Sequence, residues 1–180
     1  MRIIGGKYRG KKLISPASVA VRPTSDKARE ALFNILRSRL GSDFSALSLV
    51  DVFAGSGAFG LEAVSAGFGR VTLVDTDPRD LQKNIALFPF ENSKIKVVRC
   101  DATSFKGAVD DKFDVLFMDA PYQKGLSEKA LIAFAPYLRQ GALCLIEVEK
   151  NEACLLPESY RLLDERRYGL AKVLIAEFIS

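Results

Sequence analysis

The stretch that decides the fold is LVDVFAGSGAFG at residues 49–60. It begins as an apolar run, passes through a glycine-rich turn and continues into residues that favour a helix. Gly55 and Gly57 leave room for a sharp turn and for a ligand close to the backbone, and Gly60 permits close packing of the helix. The sequence therefore predicts a strand, a turn and a helix, with a nucleotide-like ligand at the carboxyl end of the strand.

Three acidic residues extend this predicted ligand site. Asp75 follows Gly55 by twenty residues, at the end of the next strand, where its carboxylate can accept both ribose hydroxyls. Asp101 follows the third strand and can accept an adenine amino group, or it can cap a helix instead. Asp51 precedes the turn and can simply bind amides of the glycine loop. These features fit S-adenosylmethionine and NAD equally, because both molecules contain adenosine.

Apolar runs and helical stretches alternate along the rest of the chain. The predicted strands cover residues 47–53, 70–74, 95–99, 113–118 and 142–148, and the predicted helices lie near 58–66, 78–87, 103–107 and 126–139. Residues 160–165 and 171–178 predict a closing antiparallel pair. This order is typical of an α/β, Rossmann-like fold with a mostly parallel sheet covered on both faces.

The fourth predicted strand ends in the tetrapeptide DAPY at residues 119–122. A doubly wound sheet presents its ligand at such strand ends. Asp119 and the Ala120 carbonyl, which Pro121 holds in place, can accept the two N–H groups of an exocyclic base amine, and Tyr122 can stack on the base. The tetrapeptide alone also fits an ordinary proline turn. Its position in this array favours an amine-binding site beside a transferable methyl group.

Positive charge is concentrated at the start of the chain. Residues 1–39 carry a net charge of +8, whereas the whole chain carries +4. We predict that residues 1–40 form a basic, RNA-binding extension packed on a domain formed by residues 41–180. The predicted RNA-binding residues are Arg2, Lys7, Tyr8, Arg9, Lys11, Lys12 and Arg22. The alternative is a basic face that serves only solubility.

Two elements are predicted within this extension. Residues 2–15 predict a small β-hairpin or paired arms, because short apolar runs flank glycines. Residues 26–39 predict an amphipathic helix, capped by Thr24 or Ser25, with Arg29 and Arg37 off its core face.

The composition excludes several kinds of protein. The chain has 180 residues, no histidine and only three cysteines, so a zinc site, a disulfide framework and His-dependent hydrolase chemistry are not expected. No apolar run reaches the ~20 residues of a membrane helix, and the first residues do not form a signal peptide. We expect a cytoplasmic protein without a metal.

Together these motifs resemble the RsmD-like family of bacterial small-subunit rRNA guanine-N2 methyltransferases. The resemblance rests on RIIGGKYRGKKL at residues 2–13, RPTSDKAREALFNIL at 22–36 and DVFAGSGAFGLEA at 51–63. It implies a seven-stranded class I methyltransferase sheet, S-adenosylmethionine as the donor, and a guanine of 16S rRNA in the small ribosomal subunit or an assembly intermediate as the substrate. A monomer is expected.

The resemblance also assigns roles to residues. The implied donor-binding residues are Asp51, Phe53, Ala54, Gly55, Ser56, Gly57, Gly60, Asp75, Thr76, Asp101 and Ala102. The implied catalytic residues are Asp119, Ala120, Pro121 and Tyr122. Members of the family usually have DPP followed by an aromatic residue. Ala120 replaces the first proline here, which loosens the loop but keeps the carbonyl group.

Three other functions stay open at this point. A nicotinamide-dependent oxidoreductase uses the same kind of crevice, although it leaves DAPY and the basic extension without a purpose. A noncatalytic RNA-binding or assembly factor would keep the fold without the chemistry. A methyltransferase acting on adenine N6 of DNA would use the same tetrapeptide, because it serves both amines.

Overall fold

The centre of the molecule is a seven-stranded sheet in a computed structural model that describes residues 1–15, 25–108, 110–121 and 125–180. The strands are β1 (Ser48–Val52), β2 (Arg70–Asp75), β3 (Ile95–Arg99), β4 (Phe113–Asp119), β5 (Leu138–Glu149), β6 (Tyr160–Tyr168) and β7 (Ala171–Phe178). Their order is β3-β2-β1-β4-β5-β7-β6. Strands β1 to β5 pair with one another in parallel, whereas β7 is antiparallel to both β5 and β6. The predicted mostly parallel sheet with an antiparallel last strand is confirmed.

Helices cover both faces of this sheet. They are α1 (Asp26–Leu40), α2 (Ala58–Ala66), α3 (Arg79–Ile85) and α4 (Leu126–Phe134). One core cluster joins Leu36 of α1 and Phe59 of α2 to Phe117 of β4, and a second joins Phe134 of α4 to Leu116 on the opposite face. Burial on two faces explains why β1 has no exposed residue. No helix of the described ranges is long and apolar enough to cross a membrane.

Two predicted helices are shorter than their sequence patterns suggested. The helix expected to reach residue 139 ends at Phe134, and a 3-10 turn over Ala135–Tyr137 leads directly into β5. Pro136 explains this ending, because proline cannot donate the amide hydrogen bond that would continue the helix. The helix expected over residues 103–107 is only a 3-10 turn over Ala102–Ser104. The chain leaves that turn because Phe105 stacks on Phe134 in the core, with 4.2 Å between ring centroids.

The first fifteen residues form paired arms around a 3-10 turn at Gly6–Tyr8. Arg2 and Lys12 form an isolated antiparallel bridge, and the Ile3 amide donates to the Lys11 carbonyl at 2.9 Å. The antiparallel pairing agrees with the prediction, but regular hairpin strands do not form. A single bridge suffices because side chains of the core hold the arms in place.

The arms lie along α2, the helix that follows the glycine turn. Glu62 of α2 is 3% exposed, and its carboxylate accepts the amides of Ile4 at 2.9 Å and Gly5 at 2.7 Å. The Ser65 hydroxyl donates to the Gly5 carbonyl at 2.6 Å and accepts the Tyr8 amide at 2.9 Å. The arms therefore lie against the core, and the division into an extension of residues 1–40 and a domain of residues 41–180 stays a prediction.

Arg29 corrects the prediction for α1. The sequence placed it off the core face, but its side chain is fully buried. Its Nη2 donates to the Arg2 carbonyl at 2.6 Å, and its Nε lies 3.4 Å from Glu62 Oε2. The prediction was wrong because helical spacing identifies only the apolar face of α1. It cannot show that the N-terminal arms cover a second face of this helix. Ser25 caps α1 and Arg37 is exposed, as predicted.

The end of the second arm is tied to the glycine turn through one buried amide. Asn84 of α3 is completely buried, and its Nδ2 donates to the carbonyls of Ile14 at 3.0 Å and Ser56 at 2.9 Å. Its Oδ1 accepts the Ile14 amide at 2.7 Å. Two of these bonds hold the arm to α3, and the third holds α3 to the turn on which the cofactor is expected to bind.

Candidate active site and cofactor crevice

The turn between β1 and α2 uses an unusual backbone. Phe53 has φ 63°, and Gly55 and Gly57 have φ values of 55° and 78°. A phenylalanine in the left-handed region is strained by about 1–3 kcal/mol, and such strain is often found at functional sites. A Cβ atom on Gly55 would meet nothing within 4 Å, so the turn presents open space above its backbone. The turn therefore leaves space beside Gly55, and the binding of a ligand there stays a prediction.

Asp51 and Gly60 fasten this turn to the sheet. The Gly60 amide donates to Asp51 Oδ2 at 2.8 Å, and a Cβ on Gly60 would lie 2.1 Å from the Leu73 side chain. The pKa of the Asp51 carboxyl is raised to about 7, mainly by burial; the Gly60 amide opposes this shift and the charge of Asp75 adds to it. Asp51 thus binds a glycine-loop amide, which is the structural role that the sequence left open, and Gly60 packs as predicted.

Asp75 lies at the end of β2, beside the glycine turn that follows β1. Its Oδ2 accepts the Gly55 amide at 2.7 Å, and its Oδ1 accepts the Asp77 amide at 2.9 Å. The side chain is half-buried, and Thr76 beside it is exposed. The structure therefore brings Asp75 to the glycine turn, while its role toward a ribose stays a prediction.

Asp101 follows β3 at the same edge of the sheet. Its Oδ1 accepts the amide and the hydroxyl of Thr103, both at 2.8 Å, and it caps the short turn that contains Ala102. These hydrogen bonds from Thr103 lower the pKa of the carboxyl, so it is ionised near neutral pH. The capping alternative is realised, and the exposed carboxylate stays a candidate acceptor for an adenine amine.

The glycine turn and the DAPY segment leave neighbouring strands in the same direction. β1 and β4 are parallel partners, and Val52 is in register with Met118. Phe53 and Asp119 therefore come next to each other at the carboxyl edge of the sheet. This juxtaposition is what a shared crevice for donor and acceptor requires.

The DAPY segment is described as far as Pro121. Asp119 is half-buried, Ala120 is 7% exposed and Pro121 is exposed. Tyr122 and its expected stacking on a base lie outside the described residues, as do Arg22 and the RPT motif.

Sequence reasoning missed one acidic residue beside this segment. Glu147 of β5 is in register with Asp119 of β4 and is 5% exposed. A signal was present, because a glutamate interrupts the apolar run ALCLIEVE at residues 142–149. The apolar pattern of the run predicts only a core strand.

The predicted RNA-binding residues divide into two groups. Lys7 Nζ lies 2.6 Å from Glu91 Oε1, the Tyr8 hydroxyl donates to the same oxygen at 2.9 Å, and Lys11 Nζ donates to the Leu87 carbonyl at 2.7 Å. Lys7 is the main cause that lowers the pKa of the Glu91 carboxyl to about 2, although burial opposes it. These three side chains anchor the arms to the segment before β3, an anchor that the sequence did not reveal.

The remaining basic residues of the arms face outward. Arg9 and Lys12 are exposed, and Arg2 is exposed with its Nε 3.7 Å from Asp26. Their guanidinium and ammonium groups are therefore available to a polyanion. Whether any of these residues binds RNA stays a prediction.

The sheet order, the antiparallel β7 and the glycine turn after β1 define a class I methyltransferase fold. A family model described as conserved hypothetical protein 95 matches residues 1–177. The chain belongs to this family, whose curated relatives include the ribosomal RNA small subunit methyltransferases D.

Individual relatives match nearly the whole chain. The Escherichia coli K12 ribosomal RNA small subunit methyltransferase D is 36% identical over 175 residues, which is 94% of this chain and 85% of the relative. The Haemophilus influenzae protein of the same name is 33% identical, over 94% of this chain and 90% of the relative. A solved structure of a putative methyltransferase from Escherichia coli is 32% identical, with a TM-score of 0.84 over 99% of this chain and 98% of that one.

Proposed function

We propose that this protein transfers a methyl group from S-adenosylmethionine to the exocyclic N2 amine of a guanine in 16S rRNA of the small ribosomal subunit. The observation that carries the proposal is the adjacency of two loops: the strained glycine turn after β1 and Asp119–Ala120–Pro121 after β4 leave parallel neighbouring strands at one edge. The relatives named ribosomal RNA small subunit methyltransferase D support RNA of the small subunit as the substrate.

The residues around the glycine turn fit S-adenosylmethionine. The space above Gly55 is open, and the carboxylate of Asp75 stands beside the Gly55 amide, where it can exchange that partner for ribose hydroxyls. Asp101 is ionised and can accept an adenine amino group. The bound donor supplies an electrophilic methyl group on a sulfonium ion. Phe53, Ala54, Ser56 and Gly57 would hold the donor through their backbone.

The residues after β4 fit the amine. An exocyclic amine is a poor nucleophile because its lone pair is delocalised into the ring. Asp119 accepts one N–H of the amine and the Ala120 carbonyl accepts the other, which pyramidalises the nitrogen and aims its lone pair at the methyl group. A nitrogen–carbon bond forms as the carbon–sulfur bond breaks, and the amine releases one proton toward Asp119. Alignment and fixed charge supply the acceleration.

The target base has to leave its helix to reach these groups. The acceptors lie at a sheet edge where Ala120 is buried and Asp119 is half-buried, so a base still paired in a duplex cannot contact both. Arg9 and Lys12 of the arms then bind phosphates of the surrounding RNA. We expect the protein to act as a monomer on the small subunit or on an assembly intermediate.

The test is methyl transfer to rRNA from a strain that lacks the corresponding modification. The protein is incubated with isotopically labelled S-adenosylmethionine and with that RNA, free or in small subunits, and the nucleosides are analysed by mass spectrometry. Labelled N2-methylguanosine is the expected product. Labelled N6-methyladenosine would move the target to adenine, and the absence of any labelled nucleoside from both RNA forms would overturn the proposal.

Donor identity is tested separately by calorimetry. S-adenosylmethionine should bind, and NAD should give no heat of binding under the same conditions. Binding of NAD alone would favour the oxidoreductase that the glycine turn left open.

A further inference from the structure

Glu147 is placed beside the amine-binding segment by the register of the sheet. Its Cα partner on β4 is Asp119, and its partner on β7 is Val173. Paired strands lie about 4.8 Å apart, and paired residues point to the same face. The two carboxylate side chains are therefore neighbours at the carboxyl edge of the sheet.

The packing of the preceding residues shows which face this is. Phe117, two residues before Asp119, and Leu145, two residues before Glu147, belong to the core cluster that includes α1 and α2. The Phe117 ring stacks on Phe59 with 3.6 Å between centroids. Because side chains alternate along a strand, both carboxylates continue this row toward the carboxyl ends of the strands, beyond the aromatic stack.

Glu147 is buried in a strand where carboxylates are rare. It is 5% exposed and lies within a run of β5 in which residues 142–148 are all buried. A carboxylate in such surroundings destabilises the fold unless strong hydrogen bonds compensate it. Glu147 has an interaction partner within the protein, and a carboxylate offers about four lone-pair sites, so it can accept a further hydrogen bond. Its register with Asp119 places it beside the amine-binding segment rather than in the middle of the core, which points to a role toward the substrate.

The chemistry of the two base amines gives that role. In guanine, the ring nitrogen next to the reacting amine carries a proton and is a donor. In adenine, the ring nitrogen next to the amine carries a lone pair and is an acceptor. An ionised carboxylate can only accept a hydrogen bond, so it attracts the guanine edge and repels the adenine edge.

We propose that Glu147 is a specificity-determining residue that selects guanine by accepting the N1–H of the base while Asp119 and the Ala120 carbonyl accept the N2 amine. The inference rests on the proposed function, since it names the contact that makes the N2 amine of guanine the substrate. Neighbouring strands then bind neighbouring atoms of one base edge: β4 and its loop bind the amine, and β5 binds the ring nitrogen.

The first experiment uses the unaltered protein and two substrates. After the modified guanine has been mapped, small-subunit rRNA is prepared by ligation with either guanine or 2-aminopurine at that position. 2-Aminopurine keeps the exocyclic amine but has a lone pair at N1. We expect kcat/KM for 2-aminopurine to be at least ~100-fold lower, because the carboxylate would face an acceptor. Equal rates on the two RNAs would overturn the proposal.

The second experiment assigns the discrimination to this residue. Glu147→Gln is nearly isosteric, and its amide can donate to an N1 lone pair, so the ratio of kcat/KM for guanine over 2-aminopurine should fall at least ~10-fold. The matched control is Glu149→Gln, which changes an exposed carboxylate of the same strand and should leave the ratio unchanged. Because the ratio is measured on one preparation, it does not depend on the fraction of folded protein.

A second variant covers a failure of the first to fold. Glu147→Asp keeps the charge but shortens the side chain by one methylene. It should lower kcat/KM for guanine, and with it the ratio of kcat/KM for guanine over 2-aminopurine. The role of Glu147 is overturned if the variant that folds still forms N2-methylguanosine and has the same ratio of kcat/KM values as the unaltered protein. Failure of the proposed function is recognised differently, because the unaltered protein then forms no N2-methylguanosine.

Discussion

The crevice edge and the N-terminal arms use their carboxylates differently. At the edge, Asp75 and Asp101 are half-buried or exposed, and they accept backbone amides of the loops at this edge. Along the arms, Glu62 and Glu91 are buried and are held by Arg29, Lys7 and Tyr8. An accessible carboxylate can exchange an amide partner for a ligand at little cost, whereas a buried carboxylate cannot lose its charged partner cheaply. The comparison separates groups available for binding from groups that position the extension.

The largest effect is expected at the crevice edge. Asp119→Ala removes the acceptor for the amine proton and should lower the rate of methyl transfer at least ~10³-fold, or about 4 kcal/mol in activation free energy. Binding of S-adenosylmethionine, measured by calorimetry, should persist. Asp80→Ala, at a partly exposed carboxylate of α3, is the control and should keep full activity. An active Asp119→Ala protein would show that another group accepts the amine.

The next effect breaks the anchor of the arms. Glu62→Gln leaves the buried Arg29 guanidinium without its closest buried counter-ion, and we expect a loss of about 3 kcal/mol in the free energy of unfolding, measured with denaturant. Glu30→Gln changes an exposed carboxylate on α1 and should be neutral. Adding Arg29→Met to Glu62→Gln should restore part of the loss, because no buried charge is then left alone. Equal stability of Glu62→Gln and the unaltered protein would contradict the anchor.

A smaller effect separates the two groups of basic side chains. Replacing the exposed Arg9 and Lys12 with alanine should weaken rRNA binding about 10-fold at low salt and make its salt dependence shallower, by about one unit of slope per lost phosphate contact. The thermal midpoint should not change. Replacing Lys7 and Lys11 with alanine should instead lower the midpoint, because these side chains hold the arms to Glu91 and Leu87. If the Arg9 and Lys12 variant lost stability and the Lys7 and Lys11 variant lost RNA binding, the two groups would have the opposite roles.

The smallest effect concerns pH. The folded-state pKa of Asp51 is about 7, above its ordinary value of 3.8, so its stabilising contribution is complete at low pH and is lost as pH rises through 7. Between pH 6 and 7 the free energy of unfolding should fall by about 1 kcal/mol, and Asp51→Asn should remove this slope. Asp77→Asn is the control, because the Asp77 pKa is about 2 and lies outside this range. An unchanged slope in Asp51→Asn would refute the shift.

The sheet could be predicted well because its signals are local. Each parallel strand contains a short apolar run, and the glycines after β1 also indicate the backbone conformation of the turn. The C-terminal end of α4 and the 3-10 turn after Asp101 were predicted less well. Pro136 and the packing of Phe105 on Phe134 decide these ends, and the second is a contact between residues far apart in the chain.

The candidate site was predicted in part for the same reason. Gly55, Asp75 and Asp119 stand at strand ends, and the parallel order of the sheet brings strand ends together. Glu147 was missed because its importance comes from its register with Asp119, which no spacing along the chain expresses. Lys7 and Lys11 were treated as free cations because charge counts do not show their partners on a distant segment.

The sequence by itself determined the strands, the glycine turn, the excess of positive charge in residues 1–39 and the acidic residues at three strand ends. These features follow from side-chain size, periodicity and charge, which act between near neighbours in the chain. Only the tertiary structure decided that Arg29 is buried, that the arms lie along α2 and that Glu147 stands beside Asp119. Those outcomes depend on which surfaces meet after folding, and the register between strands sets them through hydrogen bonds formed over long chain separations.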